Sequence, residues 1–151
     1  MDIATLCRRN VITVHENDEL VAAAELMRKN HVGYLIVVRS GPSNSTTRPV
    51  GVLTDRDIVI KVVAKRIDPR TLTVADVMTA QPVVVAFTES LHSALGTMRS
   101  VGVRRLPVIG TQGELIGVLS TDDIVDALAD GLSALAGAIR NEQRIESTLR
   151  Q

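Results

Sequence analysis

The sequence predicts a mixed α+β fold: two β-α-β-β-α units packed sheet to sheet about a pseudo-twofold axis, followed by a C-terminal helix. Three observations predict it. The chain repeats itself, since a shift of 71 positions lays Leu20, Ala23, Met27, Arg28, Val32, Leu35 and Val37 on Leu91, Ala94, Met98, Arg99, Val103, Leu106 and Val108; a repeat changes what every single motif means. The apolar spacing inside each copy alternates between strand and helix periods. A unit of about 55 residues buries too little surface to be comfortable alone, so two copies should share a core.

In each copy a short β-branched strand comes first, at residues 11–14 and 83–85. A helix follows with apolar residues at i, i+3, i+4 and i+7, clean in Leu91, Ala94, Leu95 and Met98. Strands are expected at 34–38 and 106–109, then at 50–53 and 115–119, and a closing helix begins at Thr54 or Ser120. Past the second strand the shift shortens to 66 and lays Gly51-Val52-Leu53-Thr54-Asp55-Arg56-Asp57-Ile58-Val59 on Gly117-Val118-Leu119-Ser120-Thr121-Asp122-Asp123-Ile124-Val125, with six of nine positions identical. The difference falls in the turn-rich loop 39–49, which replaces the shorter Gly110-Thr111-Gln112-Gly113; surface loops absorb such insertions at little cost. The expected division is residues 1–66 for the first repeat with its lead-in, 67–80 for a linker broken by Asp68-Pro69, 81–130 for the second repeat, and 131–151 for a separate C-terminal helix with a patchy apolar stripe.

Composition narrows the function. Lys plus Arg and Asp plus Glu number 17 each, so the field of a nucleic-acid clamp or an anionic-membrane binder is missing. Tyr34 and Phe87 are the only aromatic residues, which leaves almost no stacking platform for single-stranded bases. Cys7 stands alone, no Cys/His cluster has metal-ligand spacing, and His15, His31 and His92 fall in no ligand pattern. The basic residues Lys61, Lys65, Arg66 and Arg70 read as a solvated helix face. No apolar run approaches the roughly 20 residues that cross a bilayer. With nucleophile-elbow, zincin and P-loop signatures absent, the expectation is a soluble cytoplasmic protein that is not an enzyme.

Chemistry points to the paired Gly-Val-Leu-Thr-x-x-Asp and Gly-Val-Leu-Ser-x-x-Asp segments, each at a strand-to-helix junction. Free backbone N–H groups and the helix dipole favour anions and hydroxyl-rich ligands there, and glycine permits close backbone approach. The plainer reading stays open: Thr54 with Asp57, and Ser120 with Asp123, also match a helix N-cap with an acid three residues on. Asp57 and Asp123 suit sugar hydroxyls, and a phosphate would need a cation such as Arg104 or Arg105. Adjacent strand residues face opposite ways, so one of these two arginines is expected to point at a given site.

Asp76-Val77-Met78-Thr79, Arg104-Arg105-Leu106-Pro107-Val108 and the two Gly-x-x-Thr/Ser-x-x-Asp endings together resemble the CBS-domain family in its tandem arrangement, across residues 6–130. The resemblance implies two clefts between the repeats that take AMP, ADP, ATP or S-adenosylmethionine as regulatory ligands, with no cofactor required. Asp57 and Asp123 would hold ribose hydroxyls, Thr54 and Ser120 would contact phosphate or ribose, and Ile12, Thr13 and Val14 with Val83, Val84 and Val85 would sandwich adenine. Arg104 or Arg105 would serve the cleft containing Asp57; their counterparts are the uncharged Gly33 and Tyr34, so that cleft is expected to bind phosphate better. A homodimer formed through helices and a downstream effector protein are further implications. The alternative is a ligand-free interaction or dimerisation module.

Overall fold

The computed structural model describes residues 2–41 and 46–149. One sheet has four strands in the order β1 (Thr13–His15), β2 (Tyr34–Ser40), β3 (Thr47–Thr54) and β4 (Thr79–Ala80); the other has β5 (Val85–Ala86), β6 (Arg105–Ile109) and β7 (Leu115–Ser120). The first strand of each repeat lies parallel to the second, and the remaining pairs are antiparallel. Helices α2 (Leu20–Asn30) and α5 (Leu91–Val101) make the crossovers that parallel pairing requires. Both end on a left-handed residue, His31 and Gly102. Even the bulges repeat, at Val37/Val38 and Val108/Ile109. The expected α+β architecture is thus the one observed.

Each sheet carries its own core, and the two lead-ins are exchanged between them. The first core gathers Leu20, Ala23, Met27, Leu35 and Leu53 with Val74 and Val77 of α4 (Val74–Val77). The second gathers Ala94, Met98, Leu106, Leu119 and Ile124 with Ile3 and Cys7, from α1 (Ile3–Leu6) and its C-cap. The boundary drawn at residue 66 therefore separates sequence copies and does not coincide with the packing units. Residues 67–80 are more than a linker: they hold a 3-10 turn at Pro69–Thr71, then α4, then β4 paired to β3. In the symmetry-related position the backbone of Arg8 bridges Val118 of β7.

The paired glycines make this exchange possible. A Cβ on Gly117 would lie 2.5 Å from the Arg8 carbonyl oxygen, and one on Gly51 would meet Met78 Sδ at 2.5 Å and the Thr79 carbonyl oxygen at 3.0 Å. The close approach expected of these glycines is to the crossing lead-in chain.

Three further expectations change. The first strands begin at Thr13 and Val85, where the parallel partners Ile36 and Val108 become available, so Ile12, Val83 and Val84 precede them. The closing helix of the first repeat is short: α3 (Asp55–Ile58) widens into a π-helical turn at Val59–Val63, and Arg66 then turns left-handed, ahead of Asp68-Pro69. The second closing helix and the C-terminal helix are one element, α6 (Thr121–Leu149). Gly131 and Gly137 cost about 1 kcal/mol each against Ala but leave every backbone donor in place, and no proline lies inside to break the ladder. Residues 42–45 of the expected loop 39–49, and the last two residues of the C-terminal extension, lie outside the described residues.

Candidate functional site

Two clefts open where the repeats meet. The larger, about 700 Å³, is lined by Thr54, Asp55, Arg56 and Asp57 of the first repeat together with Val83, Arg104 and Arg105 of the second. The smaller, about 390 Å³, is lined by Ser120, Asp122 and Asp123 of the second repeat with Arg8, Val11, Ile12 and Tyr34. Each cleft therefore combines the helix start of one repeat with the strand entry of the other. Of the proposed adenine platform, Ile12 and Val83 reach a cleft. Val14 and Val85 are buried in the cores, and Thr13 and Val84 line neither cavity.

At both helix starts the capping hydroxyl and the acid three residues on are bonded to each other. Thr54 Oγ1 accepts the Asp57 N–H at 3.0 Å, while Asp57 Oδ2 accepts the Thr54 N–H at 3.0 Å and its hydroxyl at 2.9 Å. In the second repeat Ser120 Oγ accepts the Asp123 N–H at 3.1 Å and donates to Asp123 Oδ2 at 2.5 Å. The free N–H groups expected at the first junction are taken: Asp55 donates to the Gly33 carbonyl at 3.1 Å, Arg56 to Asp55 Oδ1 at 2.8 Å, and Asp57 to Thr54. The cations that line the larger cleft for an anion are Arg56, Arg104 and Arg105.

Each cap acid also holds a cation. Lys61 Nζ lies 3.0 Å from Asp57 Oδ1 and donates to the Val77 carbonyl at 2.9 Å. Arg8 Nε donates to Asp123 Oδ1 at 2.5 Å. A carboxylate offers about four lone-pair sites. Asp57 spends two on Thr54 and one on Lys61, which leaves room on Oδ1 for one further donor. The smaller cleft has the uncharged Gly33 and Tyr34 where the larger has Arg104 and Arg105, but Arg8 and Arg105 bring cations to it by another route. Comparing aligned strand positions missed Arg8 because it arrives on the exchanged lead-in; its signal in the sequence was its place just before the first strand.

Arg104 and Arg105 both face the larger cleft, against the expectation of one. Strand alternation does not apply to the pair, because β6 begins at Arg105. Both arginines approach Asp122: Arg104 Nη2 at 2.6 Å and Arg105 Nη2 at 3.9 Å. The Arg105 guanidinium sits 5.6 Å from the ring centroid of Tyr34, its own repeat-related counterpart. Burial pushes the Tyr34 phenol up to about 12, with Arg105 opposing, so it stays a neutral donor at physiological pH. Burial also raises the Cys7 thiol, opposed by Arg9, which suits Cys7 to the core and not to nucleophilic chemistry. Among the described residues no three His, Cys, Asp or Glu side chains converge as a metal site, and no helix is long and apolar enough to cross a membrane.

The CBS-domain family model matches residues 2–64 and 74–130. The chain belongs to the CBS-domain family. Its two CBS repeats are 35% identical over 120 residues to Hypoxic response protein 1 of Mycobacterium tuberculosis, covering 80% of each chain. They are 31% identical over 125 residues to the uncharacterized protein MK0525 of Methanopyrus kandleri, covering 83% of this chain but 61% of that relative's length. Among solved structures, Hypoxic Response Protein I with two coordinated zinc ions superimposes with a TM-score of 0.72 at 32% identity, over 83% of this chain and 98% of the other. The CBS domain protein PAE2072 of Pyrobaculum aerophilum, complexed with AMP, gives 0.70 at 31% identity, over 82% and 89%. The CBS pair here is thus similar in fold to one solved with an adenine nucleotide.

Proposed function

We propose that this CBS pair is a cytoplasmic, non-catalytic sensor that binds an adenosyl ligand, namely AMP, ADP, ATP or S-adenosylmethionine, in the clefts between its repeats. One observation carries the reading: Arg56, Arg104 and Arg105 surround the Thr54–Asp57 helix start in a cavity of about 700 Å³, within the size range of nucleotide-sized sites. The AMP bound by PAE2072 supports it. Asp57 Oδ1 accepts a ribose hydroxyl, Val83 borders the base, and the arginines neutralise phosphate. Three arginines against Asp55 and Asp57 leave this cleft net cationic, whereas Arg8 and Arg105 face Asp122 and Asp123 in the other. The Thr54–Asp57 cleft is therefore the stronger phosphate site. A ligand that bridges the repeats shifts their relative packing only by binding one arrangement better than another, and an effector protein reads that shift.

Thermal unfolding with AMP, ADP, ATP, S-adenosylmethionine and NADH, each with and without Mg²⁺, tests this. A ligand at 100 times its Kd adds about 2.7 kcal/mol, a rise of roughly 5–10 °C for a domain of this size. No rise at millimolar concentration with any of them refutes the sensor reading. It would leave the second reading, a ligand-free interaction module, which the capping bonds at Thr54 and Ser120 favour.

Both readings share a homodimer. Val59, Ile60 and Val63 of the π-helical turn and Val125, Leu128, Leu132 and Leu135 of α6 are large apolar side chains left exposed. A twofold pairing of two copies covers such faces in a closed assembly. Light scattering should give a dimer mass, and Leu128→Asp together with Leu132→Asp should reduce it to a monomer. A monomer mass for the unaltered chain overturns the assignment.

A further inference from the structure

The two clefts share lining residues, one of them charged. Arg105 and Tyr34 line both cavities, Arg104 lines only the larger, and Asp122 lines only the smaller. Asp122 nevertheless holds the arginines of the larger cleft, Arg104 at 2.6 Å and Arg105 at 3.9 Å. The repeat relation explains how this arises. Tyr34 stands where Arg105 stands in the second copy, and Arg56 stands where Asp122 stands. The repeat-related positions thus differ in charge, with Arg56 in the larger cleft and Asp122 in the smaller.

This arrangement imposes a competition. A phosphate in the larger cleft competes with Asp122 for Arg104 and Arg105. Winning them leaves an unpaired carboxylate facing the smaller cleft, where a second anion would have to sit. In the reverse order, an anion in the smaller cleft is repelled by Asp122 unless the arginines stay with it, which weakens their hold on a phosphate in the larger cleft. The Asp122 side chain is 55% exposed, so the repulsion is solvent-screened, but it acts over a few ångströms.

We infer that Asp122 is the residue that determines which cleft accepts a phosphate-bearing ligand, so that anionic occupancy of one cleft weakens anionic occupancy of the other. The inference rests on the nucleotide reading above. Neutral ligands escape the coupling, because without a phosphate the arginines have no reason to leave Asp122.

Calorimetry on the full chain tests this with AMP and with adenosine, using the unaltered protein and Asp122→Asn, which keeps the side-chain shape and removes the charge. The unaltered protein should bind a second AMP at least about tenfold more weakly than the first, the size of effect expected from one unit charge close to a phosphate near a protein surface. Asp122→Asn should bring the two AMP affinities to within about threefold of each other and leave adenosine affinities unchanged. Two equal AMP sites in the unaltered protein, an unchanged affinity ratio in Asp122→Asn, or an equal change for adenosine would each overturn the inference. If the unaltered protein binds neither AMP nor adenosine, the nucleotide reading itself fails. Inorganic pyrophosphate then decides the role of Asp122: binding at least about tenfold tighter to Asp122→Asn supports it, and equal binding to the two proteins overturns it.

Discussion

Replacing Ile3 by alanine lowers the melting temperature by roughly 5–15 °C, although the residue lies near the start of the chain, where fraying is usual. Ile3 has no exposed surface and packs in the second core with Leu106, Leu119 and Ile124. Removing a buried isoleucine side chain to alanine costs about 2–5 kcal/mol, combining lost transfer energy with the cavity left behind. Only a packed lead-in gives an effect of that size. Differential scanning calorimetry of Ile3→Ala beside Val74→Ala, its analogue in the first core, makes the comparison. A shift below about 1 °C for Ile3→Ala would show that the exchange of lead-ins does not stabilise the fold.

Asp57→Ala weakens binding of adenosine and AMP to the stronger site by roughly 10- to 100-fold, because a hydrogen bond to a charged acceptor contributes about 1.5–3 kcal/mol. Adenosine isolates the ribose contact, whereas with AMP the loss of Asp57 also frees Lys61, which partly compensates at the phosphate. Asp123→Ala has the smaller effect on the stronger site, since Asp123 is committed to Arg8 at 2.5 Å and lines the other cleft. Both variants keep the N-cap, because Thr54 and Ser120 still accept the backbone N–H of positions 57 and 123; Asp57→Ala loses in addition the bond from the Thr54 N–H. The cap therefore cannot explain a difference in affinity between them. Titration calorimetry decides: intact binding in Asp57→Ala with abolished binding in Asp123→Ala would reverse the assignment of the clefts.

The repeat, the order of elements and the two Thr/Ser-x-x-Asp helix starts were legible in the chain because each is a local pattern. Side-chain period identifies strands and helices within a dozen residues, and a cap needs only an oxygen and an N–H three positions apart. The same locality explains the errors. The start of β1 depends on where Ile36 is free to pair with Thr13, a contact across α2. Gly131 invited a helix boundary, yet a single glycine lacks the energy to end a helix whose ladder continues on both sides.

The sites divide along the same line. Thr54, Asp57, Ser120 and Asp123 could be named from the sequence, but the pairing of Asp57 with Lys61 and of Asp123 with Arg8 could not. Arg8 is 115 positions from Asp123, and nothing in either neighbourhood announces the other. Composition, repeat and motif order together established a CBS pair with two comparable helix starts. The tertiary structure alone decided that the lead-ins cross between repeats, that Ile12 and Val83 reach the clefts while Val14 and Val85 are buried, and that Arg104 and Arg105 both approach Asp122. The reason is physical. Period and capping act between neighbours along the chain, whereas burial and ion pairing act between groups that only folding brings within a few ångströms.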